Sequence, residues 1–193
     1  ITVHEWLQTK RRLASTQVQR YFKPLPWLMH HIREANPSSS CLAMHIRMTD
    51  KGNGRIKQPL TRFQEYAEAY TKASKGNPIF VATDDATVIR TIQSDWKISY
   101  LRYQKAAIRM EGGSSAIFHQ FLNETHRTNT EGLVDIYAMS KCHFFVHGYS
   151  AMAEATLYVN PELHNRSVNV DVPTKEKRSV LNFQQLVIEF YQS

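Results

Sequence analysis

Cys41-Leu42-Ala43-Met44-His45-Ile46-Arg47-Met48-Thr49-Asp50-Lys51-Gly52-Asn53-Gly54 decides the fold: an apolar run passes directly into a charged, glycine-rich turn. The apolar and small residues at 41–44 predict a buried strand, and the turn begins where the chain becomes polar. His45, Arg47, Asp50 and Lys51 then gather at the strand's carboxyl end, where open α/β sheets bind their ligands. Two cations, an acid, an imidazole and flexible backbone N–H groups suit an anionic ligand, above all a phosphate or diphosphate.

Upstream of this stretch, residues 4–22 carry a helical pattern that Lys23-Pro24-Leu25-Pro26 breaks. Pro26 suits the first turn of a second helix through about Ala35. Residues 1–36 thus form a helical lead-in. Downstream, Pro59-Leu60-Thr61 introduces a helix with Phe63, Ala67 and Tyr70 on one face and Tyr66 beside them. A strand at 79–83, a helix at 86–94 that Asp84 and Asp85 can cap, and a strand at 97–101 follow. After a loop-like segment at 102–116 come a helix at about 130–141, the strand 143–147, a helix at 150–158, the strand 167–171 and a closing helix at 179–192. Strands separated by helices imply parallel pairing with right-handed crossovers. The expected fold is α/β: a Rossmann-like parallel sheet with helices on both faces, a single compact domain over 37–193.

At 193 residues the chain can bury a proper core. Its apolar runs are short and interrupted, so no membrane segment is expected, and the amino end does not read as a signal peptide. The net charge of +7 favours anionic partners. Its basic clusters, Lys10-Arg11-Arg12 and Lys175-Glu176-Lys177-Arg178, are too short for a nucleic-acid stripe, so nucleic acid is not expected as a partner. Cys41 and Cys142 each sit beside an apolar strand and read as buried free thiols. Asn123-Glu124-Thr125 and Asn165-Arg166-Ser167 satisfy the acceptor pattern for N-glycosylation and permit a secretory-pathway lumen.

Three loops leave the carboxyl ends of expected parallel strands: His45–Gly54, Thr83–Asp85 and His147–Ala151. Arg47 is the foremost anion ligand because a guanidinium can hold two phosphate oxygens at once. Lys51 is a less directional cation, and Asp50 can orient both. Ser150 stands where it would cap a helix, so its hydroxyl and the helix N–H groups can meet phosphate. Asp84-Asp85 suits either a nucleotide-bound divalent ion or helix capping. His143 and His147, four apart, would share one side of a strand, but two ligands do not make a zinc site. Gly148-Tyr149-Ser150-Ala151-Met152 imitates a hydrolase nucleophile elbow, yet Met152 replaces the second glycine and no histidine follows Asp171.

The assembled residues resemble the sugar-nucleotide-binding lobe of the α1,6-fucosyltransferase family and, more distantly, the protein O-fucosyltransferases. The family's His-x-Arg-Arg-Thr-Asp-Lys turn is matched by His45-Ile46-Arg47-Met48-Thr49-Asp50-Lys51. Weaker matches follow in order: Pro24–Leu28, Glu65-Tyr66, Val81–Asp85, Asp135 in Leu133–Ile136, and Phe145–Ser150. The resemblance implies one lobe of a GT-B glycosyltransferase that transfers fucose from GDP-fucose, with inversion and without a metal or other cofactor. The acceptor would be a glycan or glycoprotein, the compartment the Golgi or ER lumen, and the missing N-terminal lobe of a parent protein would close the cleft. It also implies roles: Arg47, with Lys51 and Asp50, in catalysis at the departing phosphate; His45 and Asp135 at guanine; Asp84 and Asp85 on the nucleoside side; Tyr149, Ser150 and Ala151 at the diphosphate. Met48 replaces the second arginine, and the loop 52–57 lacks an acid. A catalytically degenerate GDP- or GDP-sugar-binding module is therefore the alternative.

Overall fold

The computed structural model describes residues 3–49, 57–98, 100–112, 122–172 and 178–192. Five strands, β1 (Leu42–Ile46), β2 (Ile79–Thr83), β3 (Leu101–Arg102), β4 (Phe144–His147) and β5 (Ser167–Asn169), form one parallel sheet in the order β3-β2-β1-β4-β5. Among the described residues, seven α-helices accompany them: α1 (Val3–Tyr21), α2 (Pro26–Ala35), α3 (Leu60–Ala73), α4 (Ala86–Asp95), α5 (Thr125–Ser140), α6 (Ala151–Val159) and α7 (Val180–Gln192). The α/β, Rossmann-like reading of the sequence is the architecture observed.

The strands read as continuous apolar runs because helices cover both faces of the sheet. Leu42, Met44 and Ile46 point to one face and join Ile79, Val81, Phe144 and Val146 beneath α3, α4 and α7. Ala43, Phe80, Ala82 and Phe145 point to the other and pack beneath α5 and α6. On the first face Phe144 meets Phe183 at 5.8 Å and Phe190 at 5.2 Å between ring centroids. The α3 stripe of Phe63, Tyr66, Ala67 and Tyr70 is buried as its spacing requires, and Tyr70 Oη pairs with Tyr191 Oη of α7 at 2.9 Å. The lead-in helices pack on the second face. Leu28 and Ile32 of α2 meet Val134 of α5, while Arg11 of α1 forms an ion pair with Glu154 of α6. Among the described residues, no helix is long and apolar enough to cross a membrane.

Four details depart from the sequence reading. β5, expected over 167–171, spans Ser167–Asn169. β3 covers only Leu101 and Arg102, because its ladder with β2 is confined to Ile79↔Leu101 and Phe80↔Arg102. The helix expected from about residue 130 begins at Thr125, directly after a short 3-10 turn at Leu122–Glu124. The cysteines are not free thiols: Cys41 and Cys142 form a disulfide with Cα atoms 4.7 Å apart. Cys41 directly precedes β1 and Cys142 stands two residues before β4, and the two strands are neighbours, so parallel pairing sets the two sulfurs side by side at the amino ends. Buried Asn36 seals the region, donating from Nδ2 to the Ala138 carbonyl at 3.0 Å and accepting from Lys141 Nζ on its own carbonyl at 2.8 Å.

The crosslink spans 101 residues, so it removes much of the unfolded chain's freedom. Replacing both cysteines by alanine should cost about 2–5 kcal/mol, seen as a lower denaturant midpoint. The denatured, unreduced protein should show no titratable thiol; two reactive thiols would overturn the assignment.

Candidate functional site

The chain builds the sheet outward from β1 through β2 to β3, then returns to place β4 on β1's other side. The carboxyl ends of β1 and β4 therefore flank the point where the winding direction reverses, and the two loops leaving there diverge to open a crevice. Lining that crevice are His45 and Arg47 after β1, Gln58 and Phe63 around the start of α3, and Gly148, Tyr149 and Ser150 after β4. Two of the three loops singled out in the sequence meet there. Asp50 and Lys51 lie outside the described residues.

Ser150 is the N-cap of α6, accepting from the Ala153 N–H at 2.9 Å. Its Oγ also lies 3.1 Å from His45 Nδ1. Because the hydroxyl oxygen already accepts the Ala153 hydrogen, its own hydrogen is available to Nδ1. Donation to Nδ1 goes with the tautomer that carries its proton on Nε2. His45 is buried, and the chain Ala153 N–H to Ser150 O–H to His45 locks its ring to the helix start. Ala151 opens α6, whose first-turn N–H groups have no intrahelical partners and carry the positive end of the helix dipole. The Tyr149 N–H is directed elsewhere, to Asp171 Oδ2 at 2.6 Å, while the Tyr149 side chain is half exposed.

Asp84 and Asp85 divide the work of the β2 loop. Asp84 reaches across to the β1 turn and accepts from the Met48 N–H at 2.9 Å and Thr49 Oγ1 at 2.6 Å. Its Oδ2 also stands 4.0 Å from Arg47 Nε, so one carboxylate fixes the backbone on which Arg47 is carried and attracts its guanidinium. Asp85 is buried and caps α4, accepting from Thr87 N at 2.8 Å and Thr87 Oγ1 at 2.6 Å. Capping, one of the two sequence readings, accounts for Asp85; neither capping nor metal binding foresaw the turn clamp formed by Asp84. Among the described residues, no three His, Cys, Asp or Glu side chains gather into a metal-binding group.

Asp135 is not among the crevice's lining residues. It is buried on α5, on the side of the sheet that also receives His45, and Gln104 Nε2 donates to its Oδ1. Burial raises its carboxyl pKa to about 7, against the lowering effects of Gln104 and Arg109. Among the described residues, Arg109 Nε and Nη2 are buried without hydrogen-bond partners, and the guanidinium lies over the Tyr103 ring at 5.4 Å. Gln104 and Arg109 were not distinguished in the sequence, because the segment 102–116 carries no periodic signal that would orient them. Asp171 was visible only as a strand-end acid. A groove of about 650 Å³ runs alongside, walled by α2, residues 103–107 and α5; the crevice proper encloses only about 10 Å³, so a ligand there lies along it rather than within it.

The two strand histidines do not share a face as their spacing suggested. His143 precedes β4 and packs on Phe190 of α7 at 4.8 Å, whereas His147 stacks on Phe145 at 4.5 Å on the opposite side. His147 Nδ1 donates to the Gly148 carbonyl at 3.0 Å, and burial pushes its pKa down to about 4 although Glu154 and Asp171 pull it upward. Between pH 6.5 and about 4 the unfolded chain takes up a proton that folded His147 refuses, so stability falls as pH falls through that window. The full effect is about 3 kcal/mol. Relative to the parent protein, His147→Gln should gain denaturant midpoint as pH is lowered from about 7 to about 4.5; a pH dependence equal to that of the parent protein would sink the assignment. In comparisons with known proteins, no protein-family model matches this chain and no curated protein matches it.

Proposed function

We propose that this chain is a fucosyltransferase-like lobe that binds GDP-fucose at the β1/β4 crevice and transfers fucose, with inversion, to a glycan or protein acceptor. The observation that carries the reading is the meeting of His45, Arg47 and capped Ser150 at the sheet's switch point, with His45 Nδ1 and Ser150 Oγ 3.1 Å apart. A guanidinium, an oriented imidazole and a helix amino end are three complementary groups for a diphosphate. The ordered motif resemblance narrows the anion to a guanosine diphosphate sugar.

In this mechanism the acceptor hydroxyl oxygen attacks the sugar's anomeric carbon as the bond from that carbon to the β-phosphate oxygen breaks. GDP leaves with the bonding pair, and the hydroxyl proton passes to a base. Residues 52–57 contain no carboxylate, so that base stands elsewhere. Arg47 acts where negative charge grows on the departing phosphate, and Asp84 fixes Arg47 through the turn. A donor that lies along so shallow a crevice needs a second wall, consistent with a GT-B lobe working against another lobe. The motif resemblance assigns Asp135 to the guanine edge, although it is buried outside the crevice lining and Gln104 donates to its Oδ1. The disulfide and the two acceptor tripeptides favour a secretory-pathway lumen, Golgi or ER.

A second reading, a GDP-sugar-binding module without transfer, has its own observation. Met48, at the position of the family's second arginine, packs against the apolar cluster under α3, α4 and α7 and supplies no second cation. Calorimetry separates the readings: GDP and GDP-fucose should bind in preference to UDP, and donor turnover should be present only for the enzyme. Absence of GDP binding would discard both. In the enzyme, Arg47→Ala should lower turnover by about 10²–10³ with folding intact. Near-normal transfer by the folded variant would refute the role of Arg47.

Asp135 provides a separate pH test. It must be ionised to accept a guanine N–H, yet its pKa stands at about 7 in the free chain. GDP affinity should therefore fall with each pH unit below 7, and binding at pH 7 should release protons, read as a buffer-dependent calorimetric enthalpy. Affinity independent of pH across this range would remove Asp135 from base recognition.

A further inference from the structure

We propose that Asn165 is an N-glycosylation site whose oligosaccharide lies over a groove between α1 and the 3-10 turn Pro161–Arg166. Asn165-Arg166-Ser167 has the acceptor pattern, and Asn165 is exposed on that turn. Its backbone is held, because its carbonyl accepts from Arg178 Nη1 at 3.1 Å. Its side-chain amide makes no hydrogen bond among the described residues. The Cys41–Cys142 disulfide fits an oxidising compartment, of which the lumen where such modification occurs is one.

The surroundings suit a sugar. Asn165 borders a groove of about 320 Å³ whose other walls include Gln8 and Arg12 of α1, Glu162 of the turn, and Leu157 and Pro161. Gln8, Arg12 and Glu162 carry donors and acceptors suited to hydroxyls, while Pro161 offers an apolar surface to the C–H face of a pyranose. Asn165 also stands two residues before β5, an edge strand. A bulky solvated chain there hinders edge-to-edge pairing with another molecule. It emerges at the strands' amino ends, away from the β1/β4 crevice, and leaves that crevice open.

In the modification, Asn165 Nδ2 forms a bond to the anomeric carbon of a lipid-diphosphate-linked oligosaccharide as the carbon–oxygen bond to phosphate breaks. The lipid diphosphate departs and the amide nitrogen gives up one proton. The second acceptor tripeptide also exposes its asparagine, Asn123, but it adjoins residues 113–121, which lie outside the described structure, so the assignment concerns Asn165 alone.

The test is secretion of the full chain from a eukaryotic cell line, followed by peptide N-glycosidase and peptide mass spectrometry. Enzymatic release should convert Asn165 to aspartate. Asn165→Gln and Ser167→Ala should each abolish that glycan, and Ser167→Thr should retain it. An unmodified Asn165 peptide in secreted, disulfide-bonded protein would overturn the assignment. Should Asn165→Gln not be secreted, the Ser167→Ala and Ser167→Thr pair decides. Deglycosylation should also speed hydrogen exchange across residues 8–12 of α1; unchanged exchange would remove the groove contact. These outcomes are independent of nucleotide binding, so failure here leaves the GDP-fucose reading standing and the reverse holds equally.

Discussion

The bond between Cys41 and Cys142 joins the two strands on which everything else depends. β1 and β4 are adjacent and parallel, and their registers run together from Leu42↔Phe144 to His45↔His147. With their amino ends covalently tied, the strands leave the staple together. Four residues later, at a rise of about 3.3 Å per residue, His45 emerges about 13 Å away at the crevice. The Cys41 carbonyl adds a main-chain tie by accepting from the His143 N–H at 3.1 Å. Parallel pairing gains nothing from a tight hairpin and closes long loops. A crosslink over 101 residues offsets that entropy where strand order reverses.

From this constraint the polar apparatus at the carboxyl ends becomes intelligible. Buried polar groups are costly unless paired, and here each is used to position another. Asp84 pairs with the turn that carries Arg47, Asp85 with the first turn of α4, Ser150 with both α6 and His45, and Asp171 with the Tyr149 N–H. None of these acids needs to touch a ligand to matter for binding. Among the described residues the crevice is thus held by fixed dipoles and the Arg47 guanidinium, which is the preorganisation the proposed anionic leaving group would require.

Much of this was legible because a parallel sheet buried on both faces leaves unbroken apolar runs, and Leu42–Ile46, Ile79–Thr83 and Phe144–His147 are such runs. Their ends therefore announced His45, Arg47 and Ser150. What escaped was whatever depends on strand order. The disulfide needs β1 beside β4. The clamp needs Asp84, directly after β2, to face the neighbouring turn. The histidine pair fails because His143 lies before the ladder and turns toward α7. Asp135 could be named, but its partners Gln104 and Arg109 lie in a segment without periodicity, so only the folded chain reveals the burial that raises its pKa.

The two buried titrating groups on the α5/α6 side act in opposite senses. Asp135, raised to about 7, favours folding as pH falls from that value toward the ordinary carboxyl range; His147, lowered to about 4, disfavours folding as pH falls below 6.5. Across mildly acid pH the two slopes oppose each other, so these two groups together change stability less than either does alone. In the proposed GDP-binding reading Asp135 meets the base and His147 does not, so the opposition does not extend to binding. It follows from placing one group beneath α6, stacked on Phe145, and the other on α5, where Gln104 donates to it.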